Sequence, residues 1–333
     1  MFDGVPGEDL DRAWAAGVFD GEGTTSQQIG YLQVRVPQAG DCIAPPGVIR
    51  RFWEAMGGVG SIGGPYDPVP PGKLPQWTYT ASGARACTVL AAMWPWLGEV
   101  KRRQAQMALQ ACRPSQFGAF GQSLVAADLE LSVGSVPLTF GRIDRRRRGG
   151  PSGARLGEIP NATELAWAAG FFDGEGSTFN LQARRYPKIS ISQNGPIERP
   201  PDVLVRFRQA VLEIGDLDGP IHDQGRIKWH YFVDGHDLVQ AVIALIWPWL
   251  GEVKRVQAVA ALREYREQGR PLRRPGQRRG RPLNRICKRG HDYSDVVVNH
   301  EGRRQCRPCR NLLARESMRR VRARKRAARQ ARS

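Results

Sequence analysis

The chain lacks an apolar run long enough to cross a membrane. Its longest apolar stretch, Val239 to Leu250, contains Gln240 and Pro248 and falls well short of the ~20 residues a bilayer requires. It also lacks a visible signal peptide. Residues 1–15 mix acids with proline and glycine, where a signal would place basic residues ahead of an apolar core. Cysteine is sparse, with 6 in 333 residues. Cys42, Cys87 and Cys112 are scattered, as buried thiols of a reducing compartment are, and do not suggest a disulfide framework. These absences lead to the expectation of a cytoplasmic protein with no membrane partner.

Net charge is absent from most of the chain. Residues 1–262 hold 26 basic and 26 acidic groups, whereas residues 263–333 hold 24 Lys and Arg against 6 Asp and Glu. The whole excess of +18 therefore lies in the last fifth. A solvated tail would carry charge in this way, but so dense a basic segment enclosing metal-ligand residues reads as a nucleic-acid-binding arm. The length suits two or three domains with a sizeable core. Arginine outnumbers lysine, and alanine and glycine are abundant, a composition that points to a high-GC, bacterial or phage-encoded gene.

What is present is a repetition. Trp14-Ala-Ala-Gly-Val-Phe-Asp-Gly-Glu-Gly23 returns as Trp167-Ala-Ala-Gly-Phe-Phe-Asp-Gly-Glu-Gly176. Trp94-Pro-Trp-Leu-Gly-Glu-Val-Lys-Arg102 returns as Trp247-Pro-Trp-Leu-Gly-Glu-Val-Lys-Arg255. Both pairs are offset by 153 residues, so two motifs have kept one register, as in a duplicated domain. Each repeat reads as helix, strands, helix, strands, helix. The opening helices span 9–20 and 163–173, with Asp9 or Asp11 capping the first, Thr163 capping the second, and a Gly-acid-Gly turn ending both. Strand-like runs follow at 24–36 and 177–192, helices at 46–56 and 201–214, short strands at 77–81 and 228–233, and closing helices at 99–109 and 252–262.

The expected organisation is a first half-domain at 1–112, a linker at 113–160, a second half-domain at 161–268, a basic linker at 269–286, and a terminal module at 287–333. Arg145, Arg146, Arg147 and Arg148 stand in the first linker and Arg278, Arg279 and Arg281 in the second. A structureless connector as long as the first is unusual inside one compact domain. It fits two half-domains that must be bridged.

The small faces Ala15-Ala16-Gly17 and Ala168-Ala169-Gly170 let two helix backbones approach closely. If the opening helices pack on each other, Glu22 and Glu175 meet at their C-terminal ends. An acid there opposes the helix dipole by roughly 0.3–1 kcal/mol, and two acids repel each other. A divalent cation drawn by carboxylates and backbone carbonyls resolves both problems, and such a cation suits phosphodiester hydrolysis.

The repeated WAAGxFDGEG resembles the LAGLIDADG motif of homing endonucleases in their single-chain, two-motif form, and the resemblance covers residues 9–262. It implies an α+β fold in which two pseudo-symmetric αββαββα LAGLIDADG half-domains form a β-saddle. It implies that Glu22 and Glu175 coordinate Mg²⁺, two or more ions, with backbone carbonyls from Gly21 and Gly174, while Asp20 and Asp173 are structural. It further implies that Lys101 and Lys254 polarise the attacking water or stabilise charge on the phosphate, and that Gln38 and Gln193 stand at the site, although their spacing differs by two residues. A monomer would cut double-stranded DNA across the minor groove and leave staggered ends. The sheets would lie along the major groove, with Gln27, Gln33, Arg35, Arg184, Arg185, Lys188, Ser190, Arg226, Lys228 and His230 as candidate contacts. The competing reading is a non-cleaving RNA maturase or a DNA-binding regulator. Such relatives often lose an active-site acid, whereas both acids are present here. Neither end shows an intein splice-junction pattern.

In the tail, Cys287-x3-His291-x14-Cys306-x2-Cys309 offers two tight ligand pairs around a hairpin-like stretch with Asn299 and Gly302 at its turn. Thiolate and imidazole suit one tetrahedral, structural Zn²⁺ with no open position. The pattern resembles treble-clef zinc fingers appended to nucleases. Asn299 and His300 resemble part of an HNH motif, but the second metal-site histidine is missing after Cys309. The helix expected after Asn311 gathers Arg315, Arg319, Arg322 and Arg326 near one face for DNA phosphates.

Overall fold

The computed structural model describes residues 7–67, 74–112, 161–180, 186–267, 296–298 and 304–330. The chain forms two compact units, 1–270 and 271–333.

In the first unit, helix α1 (Gly7–Glu22) is followed by strands β1 (Thr24–Gln28) and β2 (Tyr31–Ala39), helix α2 (Gly47–Ala55), strands β3 (Ser61–Tyr66) and β4 (Gln76–Ser82), and helix α3 (Ala84–Met93). A 3-10 turn (Trp94–Trp96) then leads into helix α4 (Glu99–Gln110). The second repeat follows the same order: α5 (Ala162–Glu175), β5 (Gly176–Asn180), β6 (Pro187–Asn194), α6 (Asp202–Ala210), β7 (Asp216–Asp223), β8 (Arg226–Asp234), α7 (His236–Ile246) and α8 (Glu252–Glu267). Two four-stranded antiparallel sheets result, in the orders β1-β2-β4-β3 and β5-β6-β8-β7. The fold is α+β as expected, with one more helix per repeat, α3 and α7, than the αββαββα pattern contains.

The opening helices run further than expected. The Gly23 N–H bonds the Phe19 carbonyl at 2.8 Å and Gly176 bonds Phe172, so each last turn takes in the Gly-Glu pair instead of stopping before it. Neither Thr163 nor the early aspartates act as expected. Asn161 caps α5, its Oδ1 accepting from the Thr163 N–H at 2.9 Å, while Asp9 and Asp11 lie inside α1. Both helices are central, buried along Ala13–Asp20 and Leu165–Asp173. A helix enclosed on almost every side has no use for a polar face, which explains its small and apolar composition.

The pair packs backbone against backbone. A Cβ on Gly17 would lie 2.0 Å from the Trp167 carbonyl oxygen, and one on Gly170 would lie 1.9 Å from that of Trp14. Around the pair, each sheet turns alternate residues inward. Leu32, Val34, Val36 and Tyr79 are buried in one sheet, and Ile189, Ile191, Tyr231 and Val233 in the other.

In the second unit, β9 (Val296–Val298) pairs antiparallel with β10 (Arg304–Cys306), and helix α9 (Arg307–Gln330) follows at once. The helix starts four residues before Asn311, so Cys309 lies in its first turn. No helix among the described residues is long and apolar enough to cross a membrane.

Candidate active site

Where α1 and α5 end, each glutamate packs against the glycine that precedes the other. A Cβ on Gly21 would lie 2.9 Å from Glu175 Cγ, and one on Gly174 would lie 3.2 Å from Glu22 Cγ. Glycine ahead of each acid is what gives the opposite carboxylate its room. The Gly21 and Gly174 carbonyls lie beyond the last bonds that close each helix and belong to its unpaired C-terminal set.

Half-burial pushes the Glu22 carboxyl above its ordinary value, against the pull of Lys101 and Lys254. Glu175 is pushed up to about 7, first by burial and then by the charge of Glu22. The Gln193 side chain, hydrogen-bonded to Glu175, and the two lysines oppose the rise. Glu175 thus keeps part of its proton near neutrality in the absence of a cation.

Lys101 and Lys254 occupy the first turns of α4 and α8. Each reaches back across its own repeat: Lys101 Nζ donates to the Gly23 carbonyl at 2.5 Å and Lys254 Nζ to the Gly176 carbonyl at 2.6 Å. Burial lowers the pKa of both ammonium groups, while Asp20 or Asp173 and both glutamates pull it back up. Gln38 pairs with Trp77 as Gln193 pairs with Trp229, so the two glutamines are structural equivalents. Their two-residue slip lies in the first hairpin, where Thr24 opposes Arg35 but Ser177 opposes Ser190.

A second set of residues surrounds this centre and ties the structural aspartates to the opposite repeat. Trp14 Nε1 donates to Asp173 Oδ2 at 3.0 Å, and Trp167 Nε1 donates to Asp20 Oδ2 at 2.8 Å. Asp20 also accepts the Gly98 N–H at 2.8 Å, and Asp173 the Gly251 N–H at 2.9 Å. Burial raises both aspartates to about 6, against these bonds and the nearby Arg206 or Arg51. The Arg51 guanidinium lies 4.0 Å from the Trp14 ring centroid and donates to the Trp249 carbonyl at 2.5 Å. Arg206 lies 4.0 Å from the Trp167 ring centroid and donates to the Trp96 carbonyl at 2.6 Å. A sequence signal for these arginines exists. Pro46-Gly-Val-Ile-Arg-Arg-Phe52 and Pro201-Asp-Val-Leu-Val-Arg-Phe207 form a third repeated motif.

The candidate DNA contacts are divided by strand parity. Arg35 is exposed on the outer face with Gln33. Gln27 pairs with buried Leu32 and so falls on the inner parity, and its neighbour Gln28 takes the outer place. On the second sheet, Lys188, Ser190, Lys228 and His230 share the outer face. Lys188 lies 3.6 Å from Asp234 and Lys228 2.6 Å from Asp223. His230 Nδ1 is 2.7 Å from Ser192 Oγ, and burial lowers its pKa. Arg226 is exposed at the start of β8. Cys306 is buried, and Arg315 and Arg319 are exposed on α9, which also carries Arg322. Arg145 to Arg148, Arg184, Arg185, Arg278, Arg279, Arg281, Cys287 and His291 lie outside the described residues, as do Asn299 and His300.

No known sequence family and no curated protein matches the chain. Solved structures similar to it include the LAGLIDADG homing endonuclease I-GzeII in complex with its DNA target, at 12% identity over 77% of this chain and 90% of that one, with a TM-score of 0.47. The LAGLIDADG meganuclease I-AabMI bound to uncleaved DNA is 13% identical over 77% and 92% of the two chains, with a TM-score of 0.46. The I-LtrWI LAGLIDADG homing endonuclease bound to target DNA is 11% identical over 79% and 99%, with a TM-score of 0.42.

Proposed function

We propose that the chain is a LAGLIDADG-type, site-specific DNA endonuclease that acts as a monomer in the cytoplasm and makes a metal-dependent, staggered double-strand break in a long duplex target. The observation that carries this reading is the doubled centre: two half-buried glutamates, each against the other's glycine, with a half-buried lysine from each repeat acting on both. Carboxylate and carbonyl oxygens are the donors a hard divalent cation selects. Among the described residues, no three His, Cys, Asp or Glu side chains stand together as a ready metal cluster. The protein's donor set is therefore Glu22 and Glu175 with the Gly21 and Gly174 carbonyls, and water and DNA phosphate oxygens complete it. When bound, Mg²⁺ supplies charge neutralisation at the scissile phosphates and an activated nucleophile.

The chain's own residues do the rest. Both glutamates would serve as ligands in their ionised form, which for Glu175 means release of the proton it partly keeps near neutrality. Gln193 fixes the Glu175 carboxylate. Lys101 and Lys254 offset negative charge that develops on the phosphate. The outer sheet faces, with Arg35, Lys188, Arg226, Lys228 and His230, read base edges and hold phosphates. Cys287, His291, Cys306 and Cys309 bind one structural Zn²⁺, and α9 with Arg315, Arg319 and Arg322 adds phosphate contacts beyond the symmetric core. The presence of both acids favours cutting over a non-cleaving RNA maturase or a DNA-binding regulator.

The test is incubation of the full chain with a duplex that joins the sequences flanking its gene, in Mg²⁺ and in EDTA. Cleavage of both strands in Mg²⁺ alone is expected. No cut in either condition, together with tight binding to the corresponding RNA, would overturn the reading in favour of the maturase.

A further inference from the structure

The bonds around the aspartates cross between the repeats. Trp14 and Arg51 belong to the first repeat, yet they hold Asp173 and the Trp249 carbonyl of the second. Asp173 holds the Gly251 N–H with both carboxylate oxygens, each at 2.9 Å. Gly251 immediately precedes α8, and Lys254 stands in the first turn of that helix. The mirror path runs from Trp167 and Arg206 through Asp20 and the Trp96 carbonyl to Gly98, where α4 begins, and so to Lys101. Both paths are buried or half-buried along their length, where a hydrogen bond to a charged group is stronger than in water. Each anchors the start of a helix at two points, a backbone N–H and a carbonyl two residues earlier.

We infer that Trp14 and Arg51 are positioning residues for Lys254, and that Trp167 and Arg206 are positioning residues for Lys101, so that each lysine of the centre is set by the opposite repeat. The two aspartates are the joints of this arrangement. They explain why the tryptophan that opens one motif and the Trp-Pro-Trp-Leu-Gly turn recur together: the first repeat's tryptophan acts on the second repeat's turn, and the reverse. The inference rests on the proposed function for the lysines' chemical role and not for their placement.

Trace acetylation of the folded, full-length chain, read by peptide mass spectrometry at Lys101 and Lys254, tests it. In the unsubstituted chain both lysines, half-buried and bonded to a carbonyl, should react slowly. Trp14→Phe removes the indole donor and should speed labelling of Lys254 by roughly tenfold or more, the factor matching one lost hydrogen bond to a charged group, while Lys101 keeps its rate. Trp167→Phe should do the opposite. If a tryptophan variant unfolds, which would speed Lys188 and Lys228 as well, Arg51→Gln and Arg206→Gln carry the same crossed prediction through the carbonyl arm. A faster lysine in the same repeat as the substitution, or an equal response of both, would overturn the inference. Labelling is independent of cutting. Crossed labelling without DNA cleavage leaves the positioning in place and removes the endonuclease reading, and cleavage with uncrossed labelling does the reverse.

Discussion

On the inner side of the two sheets, Val34, Val36 and Gln38 of the first repeat stand where Ile189, Ile191 and Gln193 stand in the second, and Trp77 and Tyr79 where Trp229 and Tyr231 stand. On the outer side of the same strands, Gln33 becomes Lys188, Arg35 becomes Ser190, Thr78 becomes His230, Ser82 becomes Asp234, Ser61 becomes Asp216 and Gly63 becomes Asp218. The inner side, with the helix pair and its acids, keeps the duplication almost residue for residue. The outer side has lost it. A doubled centre suits a partner whose two strands are related by two-fold symmetry. Outer faces of different charge suit a target whose two halves differ in sequence. The first sheet's outer face is nearly uncharged apart from Arg35, while the second alternates cations with four aspartates, acceptors that fit amino groups at base edges.

The largest effect expected from this contrast comes at the helix pair. Gly17→Ala or Gly170→Ala drives a methyl group into a backbone carbonyl and should destabilise the unit by about 3 kcal/mol or more, seen as a large fall in Tm. Ser190→Ala or Arg35→Ala, on the outer faces, should change stability by less than about 0.5 kcal/mol while altering which duplexes are bound. Equal losses of Tm at the two kinds of position would dissolve the distinction.

A smaller, pH-dependent effect separates the centre from its surroundings. A carboxyl whose folded pKa is raised favours the folded state when protonated. That contribution is full below the ordinary value of 4.5 and is lost as pH rises through about 7 at Glu175. Binding of Mg²⁺ to the ionised form reverses the sign. The metal-free chain should therefore lose stability from this group as pH rises from about 4.5 to about 7, and little more above that. The rise in Tm produced by Mg²⁺ should be greater at pH 8 than at pH 6, by at most about 1.4 kcal/mol per pH unit for each proton released. Thermal scans at fixed Mg²⁺ measure it, and a greater stabilisation at pH 6 would contradict it.

Much of the inner architecture is legible in the sequence because it is written twice. The repeated motif foretells the close helix pair, the meeting of Glu22 and Glu175 and the approach of the lysines. The outer architecture is less legible. β3, Ser61–Tyr66, is rich in glycine and carries Pro65, and β7 carries Gly219 and Pro220, so neither reads as a strand, although a strand at a sheet's edge tolerates both residues. Helices α3 and α7 are hidden because the Trp-Pro-Trp turns make each apolar run look like one ambiguous segment. The crossed Trp–Asp bonds join residues 159 and 147 positions apart. No local pattern predicts which acid a tryptophan meets across an interface, and the glycine that normally ends a helix hid the last turn that carries each glutamate.

In the proposed reaction the two acids form one cleavage centre that needs both repeats. Strand-resolved cleavage of an end-labelled duplex in Mg²⁺ by Glu22→Gln and Glu175→Gln tests it most directly. Each variant should bind the duplex as the unsubstituted chain does and fail to make the double-strand break. A variant lacking either acid that still cuts both strands at the unsubstituted rate would contradict it.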